Sequence, residues 1–170
     1  TNRLYVTIYP DDKEAYDLWH NVIGLADDRI FKFEDNFWEI GEGPCGPDSE
    51  IFYDIGEEHG CGKPTCTVGC DCDRYLEIWN LVFTQFNRTK DGKYEPLAKK
   101  NIDTGCGLER LASVIQQKES NFETDLIFPI IEKIIALSGG DYNNPDQKMA
   151  MKVIADHIRA IVVMISDGIL

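Results

Sequence analysis

Hydrophobic and polar positions alternate most cleanly over residues 75–87. There Trp79, Leu81 and Phe83 fall on one side of a strand, and Ile78, Asn80, Val82 and Thr84 on the other. Lys90-Asp91-Gly92-Lys93 then reads as a tight hairpin turn in which Asp-Gly supplies positive φ values. The return strand, residues 93–104, delivers Asp103 beside the strand that carries Asn80. Two glycines follow, Gly105 and Gly107, where backbone can turn tightly and approach a ligand. The pattern next predicts a helix over 107–117 with Leu108, Leu111, Ala112 and Ile115 as its apolar stripe and Arg110 in its first turn.

Upstream, residues 4–9 form an apolar strand. Asp11 and Glu14 then mark the start of a helix to about Val22 that would bury Ala15, Leu18, Trp19 and Val22. Residues 29–33 form a short apolar segment. Three glycines and two prolines in residues 41–47 predict a loop, and the chain resumes as a strand over 49–54. From Ser120 onward the pattern is helical. Thr124 or Asp125 is the expected cap of a helix that turns Leu126, Ile127, Ile130, Ile131, Ile134 and Ile135 inward and stops at Gly139-Gly140. Pro145 opens a last helix to about Ser166, with Val153, Ile154, His157, Ile158, Ile161, Val162 and Ile165 on one face. The boundary between the two regions is expected near residues 118–121, and no repeat or low-complexity segment interrupts either.

Several of these positions carry chemistry with two readings. Asn80 is an amide in a strand too apolar for an edge, so it must be hydrogen-bonded, to a structural partner or to a polar ligand. Asp103, the bare turn and Arg110 at a helix start suit a substrate with an ammonium end and a phosphate end; a glycine-rich turn with a surface salt bridge fits the same residues. His157, between Asp156 and Arg159, is a core or salt-bridged histidine or a catalytic one.

The chain has 170 residues, 43% of them hydrophobic, enough to bury a core as one domain plus part of another. Its net charge of −13 argues against a broad nucleic-acid-binding face. It shows no apolar run of membrane-spanning length and no signal peptide, so a cytoplasmic setting is expected. Cys61, Cys66, Cys70 and Cys72 cluster between glycines and prolines in residues 56–73. Without a secretory signal, such a cluster suits a closed, structural Zn2+ site, with His59 as an alternative ligand; reduced thiols or adventitious disulfides are the other readings. The chain opens on Thr1-Asn2 without an initiator methionine and closes on Gly168-Ile169-Leu170, and is expected to be a fragment.

Taken together, five blocks resemble the alanyl-tRNA synthetases. They are Asp35-Asn36-Phe37-Trp38, Gly43-Pro44-Cys45-Gly46-Pro47, Glu77-Ile78-Trp79-Asn80-Leu81-Val82-Phe83, Asp103 through Arg110, and Val153-Ile154-Ala155-Asp156-His157-Ile158-Arg159, in that order. The resemblance implies an α+β fold, a class II synthetase-like antiparallel sheet with flanking helices followed by an all-helical segment. Residues 1–118 would be the C-terminal part of the catalytic domain and 119–170 the start of a tRNA-recognition region. It implies activation of alanine with ATP and Mg2+ to alanyl-adenylate, then transfer to tRNA(Ala), with no membrane partner. Trp38, Asn80, Asp103 and Gly105 match the family's alanine pocket. Asp103 would accept from the ammonium, Asn80 would orient the carboxylate end and Trp38 would wall the side chain. Gly107 and Arg110 match its ATP-binding third motif. No residue is assigned an acid–base or covalent role. The family's first two motifs lie upstream of these blocks, so little adenylation is expected from this segment alone; a module that keeps the fold without catalysis is the competing reading. Position 48 is Asp where the family pattern has cysteine, and no function is drawn from it.

Overall fold

The computed structural model describes residues 2–169, which divide into two units, the first ending at Leu111 and the second beginning at Ala112. The fold class is α+β. The first unit is built on a six-stranded sheet: β1 (Leu4–Ile8), β2 (Ile30–Lys32), β3 (Phe37–Glu39), β4 (Gly43–Asp54), β5 (Tyr75–Arg88) and β6 (Tyr94–Cys106). The order across the sheet is β2-β1-β4-β5-β6, with β3 on β4; every pair is antiparallel except β1 with β2, which is parallel.

One face of this sheet is apolar. Val6 and Ile8 pack with Ile30 and with Ala15 of helix α1 (Lys13–Asp17), joined by Trp19, Ile51 and Phe83. Asp12 rather than Asp11 caps α1, accepting from the Ala15 amide at 3.0 Å. The helix then widens to a π-helical turn over Leu18–Val22. That widening rotates the expected stripe off the sheet, so Leu18 and Val22 are exposed while Ala15 is buried.

Residues 43–47 are not a loop. They are the first part of β4, pairing with β3 through Trp38↔Gly46 and Phe37↔Pro47. Pro47 is tolerated because the β4–β5 register shifts between Cys45 and Asp48, leaving it outside the ladder to β5, whereas Pro44 pairs with Asn87 next to the strand's first residue. The β5–β6 hairpin closes through Thr89–Lys93, with the Gly92 amide donating to the Thr89 carbonyl at 2.9 Å. Only Gly92 has positive φ (+80°); Asp91 does not, so the loop is a three-residue turn ending in a bulge glycine rather than the two-residue turn expected.

In the second unit, α3 (Phe128–Ser138) and α4 (Pro145–Ser166) bury Ile127, Ile131, Met151 and Ala155 together. Neither Thr124 nor Asp125 caps α3. The Thr124 hydroxyl donates to the Asn121 carbonyl, and the Asp125 amide donates to Gln116. Leu126 is 41% exposed and lies outside that core. Pro145 opens α4 as expected, and Asn144 caps it, accepting from the Asp146 and Gln147 amides. α4 meets α3 at Met151 and Ala155; Val153, Ile154, Ile161 and Ile165 are exposed, as are His157 and the residues that continue the Met151–Ala155 line, Ile158 and Val162.

Candidate functional site

The other face of the sheet is polar, and its residues can be followed by register. Thr7 lies opposite Glu50, Glu50 opposite Asn80, and Asn80 opposite Gly105; Asp48 lies opposite Val82, and Val82 opposite Asp103. Directly paired residues share a face, so Asn80, Asp103, Gly105, Asp48 and Glu50 all stand on one side. The pairing of β5 with β6 thus brings Asn80 and Asp103 to the same surface.

Glu77 joins them because of a defect. Ile51 pairs with Trp79 and Phe52 with Glu77, so β5 carries one extra residue at Ile78. This bulge turns Glu77 from the Trp79 side to the Asn80 side. Strict alternation from Trp79 places it on the apolar face, and nothing in the sequence marks the bulge. Glu50, Asn36 and Thr7 were missed too, although Asp48-x-Glu50 has the right spacing to share a face.

The polar groups form one network. Asn36, 2% exposed, donates to Thr7 Oγ1 at 2.9 Å, and that hydroxyl donates to Glu50 at 3.1 Å. Asn80 Nδ2 donates to Asp48 at 2.9 Å and to Glu50 at 3.4 Å. Both amide hydrogens are therefore turned toward carboxylates. Asn80 Oδ1 and Asp48 Oδ1 are left as buried acceptors without a donor among the described residues. Such atoms call for a ligand donor or a water. A Cβ built on Gly105, opposite Asn80, meets nothing within 4 Å, so the sheet surface is open there. Gly105 is a strand residue without positive φ, not the tight turn expected; its use is the open slot.

Burial raises the pKa of Asp48 and of Glu50, and the negative charge of Glu77 adds to both. A carboxyl with a raised folded pKa takes up protons on folding. Its stability contribution is therefore largest below the ordinary carboxylate range and falls as pH rises through the raised value. Asp48→Asn is expected to flatten this fall, which urea midpoints measured across mildly acidic pH will show; an unchanged slope would mean that Asp48 is not held in this way.

Trp38 stands on β3 opposite Gly46, and its indole N–H donates to the Phe83 carbonyl at 3.0 Å. Asp103 is exposed and accepts from the Thr104 amide at 2.7 Å. Gly107 accepts the Leu111 amide and so opens α2 (Leu108–Ile115). A Cβ on Gly107 would lie 3.3 Å from the Arg110 side chain, so glycine there leaves the arginine its room. Arg110 Nη1 meets the Glu77 carbonyl at 3.1 Å and its carboxylate at 3.2 Å, which ties the guanidinium to the polar face.

Apart from this surface, Cys61, Cys66, Cys70 and Cys72 converge between β4 and β5, their sulfurs all within 4.8 Å of one another. His59 is outside that group, with Nε2 4.0 Å from Glu58.

The sequence pattern of the tRNA synthetases class II (A) matches residues 1–170. The chain is 53% identical over 171 residues to the alanine–tRNA ligase of Natranaerobius thermophilus, covering 99% of this chain and 20% of that protein. It is 54% identical over 172 residues to that of Thermoanaerobacter pseudethanolicus and 55% over 172 residues to that of Carboxydothermus hydrogenoformans, with the same coverage. The chain thus spans about a fifth of the length of the curated relatives it matches. With its open polar sheet face leading into the Gly107–Arg110 helix start, and with the match running its whole length, the chain belongs to the class II (A) tRNA synthetases.

Proposed function

We propose that the polar sheet face is the alanine-activating site of an alanine–tRNA ligase. Alanine and ATP, entering with Mg2+, would give alanyl-adenylate and pyrophosphate, and the alanyl group would pass to tRNA(Ala) in the cytoplasm. Residues 1–118 are read as part of the catalytic domain and 119–170 as the start of the tRNA-recognition region. The four-cysteine cluster is read as holding a structural Zn2+ ion.

The observation that carries this reading is the fixed amide of Asn80. With Nδ2 spent on Asp48 and Glu50, the amide has only Oδ1 left to offer a ligand. An acceptor suits the substrate ammonium, not its carboxylate, so Asn80 is reassigned to the same end as Asp103. Asn80 Oδ1, Asp48 Oδ1 and the Asp103 carboxylate are acceptors on one face, and together they favour a cation that donates hydrogen bonds. Trp38 limits the side-chain end. Arg110, held by Glu77, supplies the positive charge for the ATP phosphates. In pyrophosphate exchange by the intact protein carrying this chain, Arg110→Ala is expected to raise the KM for ATP about tenfold or more and leave that for alanine nearly unchanged. The reverse split would remove Arg110 from the ATP site, and exchange with no requirement for alanine would sink the reading itself.

A further inference from the structure

The thiol cluster has the dimensions of a metal site. Cys61 and Cys70 sulfurs are 3.7 Å apart, and Cys66 and Cys72 sulfurs 3.6 Å. A tetrahedron with metal–sulfur bonds of about 2.3 Å has edges of about 3.8 Å. A disulfide needs about 2.05 Å, so neither pair is at bonding distance. Tight turns set the spacing: the Cys66 amide donates to the Lys63 carbonyl and the Cys70 amide to that of Thr67, each at 3.0 Å, with Gly62 and Gly69 at positive φ. Little else holds the insert. Val68, 1% exposed, is its buried aliphatic side chain, and Gly69 lies against the Phe33 ring. One valine cannot order a segment of this length.

The cluster is also tied to the start of β5. Arg74, two residues after Cys72, forks the Asp54 carboxylate with its guanidinium at 2.9 and 2.8 Å, and its carbonyl accepts the Ile55 amide at 2.9 Å. Both side chains are largely buried. Along the same strand comes Glu77, whose carbonyl and carboxylate hold Arg110.

We propose that the four thiolates bind one zinc ion in a closed tetrahedral site, and that this site is a clasp on the start of β5 that positions Glu77 and, through it, Arg110. The clasp half rests on reading Arg110 as a ligand of ATP; the metal half does not. Zinc is favoured because all-thiolate tetrahedral sites select it, and a filled shell leaves no position for reacting water. Glu77 and the cysteines are positioning groups.

The test begins with the metal-free, reduced protein titrated with Co2+ alone. One equivalent is expected to give thiolate charge-transfer absorption and tetrahedral d–d bands, to be displaced by Zn2+, and to protect four of the six cysteines from a thiol reagent. Absence of these bands with all thiols reduced would overturn the metal site. The second arm is pyrophosphate exchange by the intact protein before chelation, after it, and after Zn2+ is returned. The KM for ATP is expected to rise about tenfold on chelation and to recover on return, with the KM for alanine unchanged. Cys66→Ser should mimic the chelated state, and Cys66→His, which keeps a ligand, should lie near wild type. Cobalt binding with an unmoved KM for ATP would overturn the clasp and leave the metal. If Arg110→Ala also left that KM unmoved, the fault would lie with the assignment of Arg110 instead.

Discussion

Replacing Gly46 with alanine is expected to cost about 3 kcal/mol of unfolding free energy. A Cβ at this position would lie 2.1 Å from the Phe83 carbonyl oxygen and 3.1 Å from the Gln85 amide nitrogen, both backbone atoms of β5. Side-chain adjustment cannot relieve such a contact, so β4 and β5 would have to move apart where β5 already carries one extra residue. The Phe83 carbonyl is also the acceptor for Trp38, so that bond would be lost with the register. The drop is read from urea midpoints, together with a shift in tryptophan emission. A loss under about 1 kcal/mol would mean that the strands do not approach this closely. Gly105→Ala makes the opposite test. Its Cβ would enter open space, so stability should change by no more than about 0.5 kcal/mol while alanine binding falls, because the methyl fills the slot beside Asn80.

The second large effect is that of Asp103→Ala on alanine use. Asp103 is the exposed carboxylate on the face where Asn80 presents its oxygen, and its own structural tie is a local bond to the Thr104 amide. Removing it should therefore leave the fold intact and take away the exposed charge-assisted acceptor of this face. A hydrogen bond of that kind contributes about 1.5–3 kcal/mol, so kcat/KM for alanine should fall about 100-fold in pyrophosphate exchange by the intact protein, with the KM for ATP close to wild type. Equal losses for both substrates would point to a folding defect, and no loss would take Asp103 out of the pocket.

The β5–β6 hairpin, and with it the meeting of Asn80 and Asp103 on one surface, could be read from alternation and a glycine turn alone, because a register of period two carries face identity along a strand. Reading failed where the period is broken. Pro44 and Pro47 resemble loop residues, yet a bulge takes Pro47 out of the β5 ladder and the strand runs through them. Glu77 is invisible to alternation for the same reason, since the extra residue at Ile78 reverses its face. The orientation of the Asn80 amide depends on Asp48 and Glu50, two strand residues whose partners only the sheet order reveals. In α4 the apolar stripe was legible but its direction was not: periodicity shows that a face exists, whereas contact with α3 falls on Met151 and Ala155.

The measurement that bears most directly on recognition of the ammonium group compares two non-hydrolysable alanyl-adenylate analogues that differ only in the α-amino group. Titrated calorimetrically into the intact protein, the ammonium-bearing analogue is expected to bind at least about 100-fold more tightly than the deamino form, and Asp103→Ala should erase most of that ratio. Equal affinity for the two analogues in the wild type would contradict the pocket assigned to Asn80, Asp103 and the slot over Gly105.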